Sequence, residues 1–366
     1  MARQDGRKAV TEQADVRTGQ GQPKLDREAF AERYRQRFKD PIFNHAQAEI
    51  DRLIDLAWDG YRQGRKAPVT RKAGAGFTDP DYDLSVDWLA AHDAIIDAGR
   101  RQRDPASPTR VLLICGSPRT DDTCPGEMSK SFRLVSHCQE TMINAGCEVD
   151  LLDLSRLTAE YGRVIYPCKA CVSTSMALCH WPCSCYPNHS LGQVNDWMNE
   201  IYPRWMAAHG VMIVTPVHWY QAPSVLKLMM DRLVCADGGN PDPTSTHGKD
   251  AARAKQLELA GWPYPRHLAG RAFSVLVHAD TEGANELRRV LADWLSDMHL
   301  IEAGSASIGR YIGYYQPYAT SHQALDQEAA LFLEVQNAAT TLINKIHHLR
   351  AGQTEPDAEL TDPRPK

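Results

Sequence analysis

The sequence is short of the features that assign a chain quickly to a class. No apolar run approaches the ~20 residues needed to cross a bilayer, and the opening MARQDGRKAV is polar where a secretory signal would be apolar. Neither charge dominates: 41 Lys and Arg stand against 46 Asp and Glu, a net charge of -5. Such a balance offers no general attraction for nucleic acid or a membrane surface. The two common nucleotide fingerprints are missing as well. The loop after Ile114 lacks the glycines of G-x-G-x-x-G, and G-x-x-x-x-G-K-[ST] occurs nowhere. Nor are the ten cysteines spread as staples, since half of them crowd into one short segment. The expectation is a cytoplasmic, soluble globular protein, and 43% hydrophobic with 24% charged residues suit it.

What is present is concentrated in RVLLICGSPRTDDTCPGEMSKSFRL, residues 110–134. A short apolar run, Val111 to Ile114, enters a loop carrying Gly116, Ser117, Arg119, Ser129 and Ser131. An amphipathic helix follows, with Phe132, Val135, Cys138 and Met142 on one side. A buried strand feeding such a loop at a helix N-terminus is an anion site, because unpaired N–H groups and the helix dipole face outward there. Hydroxyls and one arginine, with no evident magnesium carboxylate, suit a terminal phosphate monoester; each bond to it contributes ~1.5–3 kcal/mol. The plainer alternative is an ordinary turn capped by serine.

From Arg110 onward, strands and helices alternate. Strands are predicted over 149–154, 211–214, 273–277 and about 303–308; helices over 223–233, 286–298 and 321–349. Five apolar strands separated by helices imply a doubly wound parallel sheet, with ligands beyond the carboxyl ends of its strands. Before it, Phe30, Tyr34 and Phe38, then Ile50 to Tyr61, then Leu84 to Ile96, mark three helices, the last ending near Gly99. A loop is expected over 63–81. The chain thus reads as a tail and helical extension (1–105), an α/β domain (106–350) and a disordered polar tail (351–366), with residues 1–25 disordered too.

Two further loops should open on the same edge of the sheet. The third strand runs into Thr215, Pro216, Val217, His218, Trp219 and Tyr220, a stiff aromatic segment suited to a planar ring. The fourth ends in His278-Ala279-Asp280-Thr281-Glu282-Gly283. GSPR followed by S-x-S, the string TPVHWYQAPSVLKLMMDRL and the five-strand alternation resemble the NAD(P)H-dependent FMN reductase family over residues 108–310, whose relatives include iron–sulfur flavoproteins.

The resemblance implies a flavodoxin-like sheet of order 2-1-3-4-5 and a non-covalent FMN. Its phosphate would lie on Ser117, Arg119, Ser129 and Ser131, and its ring beside Thr215, Pro216, Val217, His218, Trp219 and Tyr220. The wide spacing TDDTCPGEM leaves Ser129, Lys130 and Ser131 open as alternatives. Hydride would pass from NAD(P)H through the flavin to free flavin, a quinone or another small acceptor. The enzyme would be a homodimer or homotetramer, with no residue required as nucleophile or base. His218 is either a proton donor or a ring packed beside the flavin. Two other readings stand beside the reductase: an electron carrier between protein partners, and a scaffold that has lost its flavin.

The crowded cysteines are Cys168, Cys171, Cys179, Cys183 and Cys185. Thiolates at this density suit a metal. However, the spacing departs from the compact C-x2-C-x2-C of iron–sulfur flavoproteins, and a zinc site normally pairs two C-x2-C units. A metal-free loop stands first, with a [4Fe-4S] cluster, zinc or reversible thiol chemistry as alternatives. A second insertion, about 236–270, carries Trp262 and Tyr264 and is expected to cover the site or contact a neighbouring subunit.

Overall fold

In the computed structural model, residues 23–280, 282–304, 307–311 and 316–353 are described. Most of both expected disordered tails, residues 1–22 and 354–366, and Thr281 lie outside that set. The chain divides into two compact units. One contains residues 23–94, 163–200 and 231–265, and the other 95–162, 201–230 and the described residues from 266 onward. This differs from the linear reading, in which everything from 106 to 350 formed one domain. The cysteine segment and the 231–265 insertion group with the N-terminal helices because their contacts are made there, with residues distant in sequence.

In the first unit, helices Arg27–Arg35 and Gln47–Arg62 bury Ala31, Ile50 and Ile54 against Phe30, Tyr34 and Phe38. Asp26 caps the first by accepting from the Ala29 amide at 2.8 Å. Two short strands, β1 (Thr70–Lys72) and β2 (Asp83–Ser85), pair antiparallel; β1 lies in the expected 63–81 loop, whereas β2 takes Leu84, expected to open the third helix, which instead runs Val86–Arg103. Helix Ala251–Leu259, capped by Asp250, sets Ala254 against Ala177 and Leu178. At the centre of this unit Arg232 and Asp196 form a buried ion pair at 2.5 Å, their side chains 0% and 1% exposed. The same guanidinium donates to the Tyr166 carbonyl at 2.8 Å and lies over the Tyr186 ring. One cation thus ties three parts of the two insertions together.

The second unit is built on β3 (Arg110–Cys115), β4 (Glu148–Asp153), β5 (Gly210–Pro216), β6 (Ala272–Ala279), β7 (Ile301–Glu302) and β8 (Ile308–Tyr311). All pair in parallel, in the order β4-β3-β5-β6-β7, with β8 also on β6. Counted within this sheet alone, that is the flavodoxin-like 2-1-3-4-5. The fifth strand is two short pieces flanking the predicted 303–308 rather than one run. Alternate residues Val111, Leu113 and Cys115 join a core with Leu134, Val135, Cys138 and Met142 of helix Lys130–Asn144 and Val335, Leu342 and Ile346 of helix Ala329–Arg350. Leu112 and Ile114, on the opposite face, are also fully buried. Both faces are covered, which is why the strands read as continuous apolar runs. The predicted final helix is two, Ser321–Asp326 and Ala329–Arg350. Among the described residues no helix is long and apolar enough to cross a membrane.

Candidate active site

The carboxyl ends of β3, β5 and β6 bring three loops together within the second unit. The first begins at Gly116, whose amide donates to the Val214 carbonyl at 2.8 Å. A Cβ there would stand 2.8 Å from Cβ and Oγ1 of Thr215, so only glycine lets the β3 exit lie this close to β5. Ser117 is buried, and its Oγ accepts from the Arg119 amide at 3.1 Å. The Arg119 guanidinium donates to the Glu127 carbonyl at 2.9 Å, while its Nε is buried without a partner. Thr120 and Thr123 close the turn, the Thr120 amide donating to Thr123 Oγ1 at 2.9 Å. His322 holds the far side of the loop, with Nε2 2.9 Å from the Met128 carbonyl.

The loop ends where helix Lys130–Asn144 starts. Ser129 is its N-cap, accepting from the Phe132 amide at 3.0 Å. Ser131 is buried, with Oγ 2.7 Å from Nε2 of His278. Lys130, between them, is buried and reaches Asp280 at 3.1 Å. The three alternatives left open by the sequence therefore have separate roles: a cap, a partner for the β6 terminus, and a cation at the helix start.

His278 connects all three loops. Besides meeting Ser131, its carbonyl accepts from the Val217 amide at 2.9 Å. Burial lowers its pKa to about 4, with Lys130 and His218 pushing the same way and Asp280 opposing. The imidazole is therefore neutral at ordinary pH.

Beyond Thr215, which is buried, the segment Pro216-Val217 leads into a tight turn. The amide of His218 donates to Gln221 and that of Gln221 back to His218, at 2.9 and 3.0 Å. Between them Trp219 and Tyr220 both have positive φ, 47° and 65°. Two left-handed residues closed by paired bonds make a type I′ turn, which normally calls for Asn-Gly. The two aromatics are 94% and 64% exposed. Among the described residues neither of their amides donates to another backbone group. Gly283, at φ 110°, starts helix Ala284–Asp297; a Cβ there would stand 3.4 Å from the Tyr220 Cα. The β6 exit thus packs directly beneath the aromatic turn. His218 is exposed as a residue, yet desolvation of its ring holds its pKa below the usual histidine range.

Every residue expected at the site lies on these loops: Ser117, Arg119, Ser129 and Ser131 on the first, Thr215 to Tyr220 on the second. Lys130, one of the three alternatives, and His278, named only as the end of the fourth strand, do much of the joining. Each left a signal. A lysine opening a helix opposes the helix dipole unless an anion faces it, and a histidine interrupts the apolar run AFSVLVHA.

The donor set fits a phosphate monoester bearing a flat ring. A helix N-terminus, Arg119 with an unpartnered buried nitrogen, Lys130 and serine hydroxyls surround one end, and an aromatic turn stands at the other. With the parallel sheet they stand on, these features define a flavodoxin-like α/β protein.

More specifically, residues 109–311 match the family described as NADPH-dependent FMN reductase, and the chain belongs to that family of oxidoreductases. An iron-sulfur flavoprotein of Methanosarcina thermophila is 28% identical over 125 residues, 34% of this chain and 52% of that protein. The chain thus spans about half the length of the curated relative it matches. Among solved structures, RosB with a bound 8-demethyl-8-formylriboflavin-5'-phosphate intermediate is 12% identical, with a TM-score of 0.48, covering 69% of this chain and 84% of that one. An FMN-dependent NADH-azoreductase from Bacillus anthracis str. Ames Ancestor, in complex with FMN, is 15% identical with a TM-score of 0.35, covering 64% and 99%.

The cysteine segment belongs to the first unit. Among the described residues no group of three or more His, Cys, Asp or Glu side chains is placed to hold a metal ion.

Proposed function

We propose that this protein is an FMN-dependent NAD(P)H oxidoreductase, taking reducing equivalents from a nicotinamide and passing them to free flavin, a quinone or another small acceptor. The observation that carries the reading is the junction of the GSPR loop, the helix start at Lys130 and the Trp219-Tyr220 turn through His278 and Gly283. That junction provides cation and amide donors at one end and flat apolar surface at the other. Bound FMN would supply the hydride chemistry itself. Arg119, Lys130, Ser117 and the first-turn amides of helix Lys130–Asn144 would hold its phosphate. Pro216 to Tyr220 would line the ring, with the turn amides available to negative charge at the ring edge. His218, neutral near pH 7, orients the ring edge rather than delivering a proton.

The reading is tested on purified protein. Flavin absorbance at about one FMN per chain, bleached anaerobically by NADH or NADPH and recovered on adding a quinone, nitroaromatic or free flavin, is the expected result for a cofactor that carries the redox chemistry. A protein that takes up no FMN when it is supplied in excess overturns the reading. Reduction by a protein donor but by neither nicotinamide would establish the electron-carrier alternative instead.

A further inference from the structure

The first unit holds a second concentration of reactive groups, separate in sequence from every loop that forms the flavin site. Cys171 and Cys185 face each other with their sulfurs 3.4 Å apart. Lys249 places its ammonium 3.6 Å from the Cys171 sulfur while donating to the Leu178 carbonyl at 2.8 Å. Cys171 follows Ala170, a non-glycine residue at φ 50°, and its carbonyl accepts from the Thr174 amide at 3.0 Å. The backbone around the thiol is thus fixed. Cys171 is partly exposed and Cys185 is buried.

We propose that Cys171 and Cys185 are a redox-active dithiol, with Cys171 the attacking sulfur, Lys249 its positioning residue, and a small hydroperoxide the oxidant. The electrostatics agree with the geometry. The Cys185 thiol, donating to Cys171, lowers that thiol to about 6; burial opposes this and Lys249 reinforces it. By contrast, burial pushes Cys115 and Cys138, packed under the sheet, up to about 12. Cys179 is raised by burial and Cys183 by its bond to Cys185. A thiolate is the nucleophile and a protonated thiol is not, so one of these sulfurs is selected. A half-buried thiolate also suits a small oxidant better than a bulky disulfide.

The chemistry balances in two steps. The Cys171 thiolate attacks the outer oxygen of the hydroperoxide; the O–O bond breaks, an alcohol leaves after protonation, and Cys171 becomes a sulfenic acid. The Cys185 sulfur then attacks the Cys171 sulfur, the S–O bond breaks, and water leaves as the disulfide forms. Two thiols are oxidised by two electrons and one peroxide is reduced. Closing the pair takes the sulfurs from 3.4 Å to a bond of about 2.05 Å. An added dithiol returns the pair to the reduced state. The site does not depend on the flavin reading, since Cys171, Cys185 and Lys249 all belong to the first unit and none lies on a loop assigned to the flavin.

The experiment uses the full chain, reduced and then freed of reductant. It is treated with one equivalent of hydrogen peroxide, alkylated and mapped by peptide mass spectrometry. The expected product is a Cys171–Cys185 cross-link, with two thiols lost and both restored by dithiothreitol. Cys185→Ser should stop the reaction at a sulfenic acid on Cys171, captured by dimedone. Lys249→Met should slow oxidation at Cys171 about tenfold, through loss of the cation that favours the thiolate. Circular dichroism establishes that each variant folds, and the wild-type cross-link map decides the matter if one does not. A cross-link joining Cys183 to Cys185, oxidation spread evenly over the thiols, or stoichiometric iron or zinc that protects them until chelated would each overturn the proposal.

Discussion

Arg119 is the side chain on which the proposed phosphate site can be tested most directly. It stands at the loop, spends one nitrogen on the Glu127 carbonyl and keeps a buried nitrogen unpartnered. Leaving such a group without a partner costs about 1–3 kcal/mol, which a bound anion offsets. Arg119→Ala should therefore weaken FMN binding by about 1.5–3 kcal/mol, roughly the contribution of one charge-assisted hydrogen bond. Fluorescence titration of the apoprotein with FMN measures it, and unchanged affinity would remove Arg119 from the site. Trp219 and Tyr220 carry the opposite kind of cost. Each holds a left-handed conformation that a non-glycine residue maintains at roughly 1–3 kcal/mol. Replacing the pair as Trp219→Asn with Tyr220→Gly matches the turn type and should raise stability by about 1–2 kcal/mol. The same change strips the flat surface from the site, so nicotinamide-dependent reduction should fall while the denaturation midpoint rises. If activity is unaffected, the aromatics serve only the turn.

At the scale of elements, two histidines show how strand ends are joined and how acid would part them. His278 at the end of β6 meets Ser131, at the start of helix Lys130–Asn144. His209, just before β5, accepts from the Arg110 amide through Nδ1 at 3.0 Å, with Nε2 3.0 Å from the Gln102 carbonyl. Burial, and for His209 also Arg350, lowers both from 6.5 to about 4. The folded chain holds both rings neutral, whereas the unfolded chain takes up protons below about pH 6.5. Their stabilisation is fully present above the unfolded value and is lost as pH falls from about 6.5 towards 4, at up to ~1.4 kcal/mol per pH unit for each. Urea denaturation between pH 7 and 4.5 should show this loss, and His278→Gln should remove about half of the slope. A profile flat over that range would mean that the rings are protonated in the folded protein. Strand positions were legible in the sequence because runs such as VLLI and VMIV are apolar throughout, as a sheet covered on both faces requires. Helix Met198–Ala207 was not, since Pro203 lies inside it and proline normally argues against a helix interior. Likewise β1 and β2, three residues each, are too short to establish a periodicity.

Across the whole molecule, legibility followed the range of the interactions. The GSPR and TPVHWY loops could be placed at one sheet edge because each is a local string at the end of an apolar run. Their connection through His278 could not, since it depends on the register of β6 against β5 and on which residue opens a helix many positions away. The assembly of the first unit was hidden for the same reason. The Cys168–Cys185 segment and the 236–270 insertion read as loops, with Arg232 near the end of the predicted 223–233 helix, yet residues 163–200 and 231–265 enclose the Arg232–Asp196 pair among Tyr166 and Tyr186. Nothing local marks either residue as a core ion pair. A buried guanidinium whose carboxylate is removed keeps its desolvation penalty without its partner, and breaking such a pair costs about 3–5 kcal/mol. Asp196→Ala should therefore lower unfolding stability by roughly that amount, an effect far above that of truncating an exposed partner such as Asp97 of the surface pair with Arg100. The tryptophans Trp181 and Trp197, buried in the same unit, report the transition by fluorescence in guanidinium. The double replacement Arg232→Met with Asp196→Leu removes both charges and should recover most of the loss, because the cost lies in the unpaired ion rather than in the missing attraction. A single Asp196→Ala variant as stable as the parent would mean that water reaches the guanidinium, and that the insertions are held together by their apolar contacts alone.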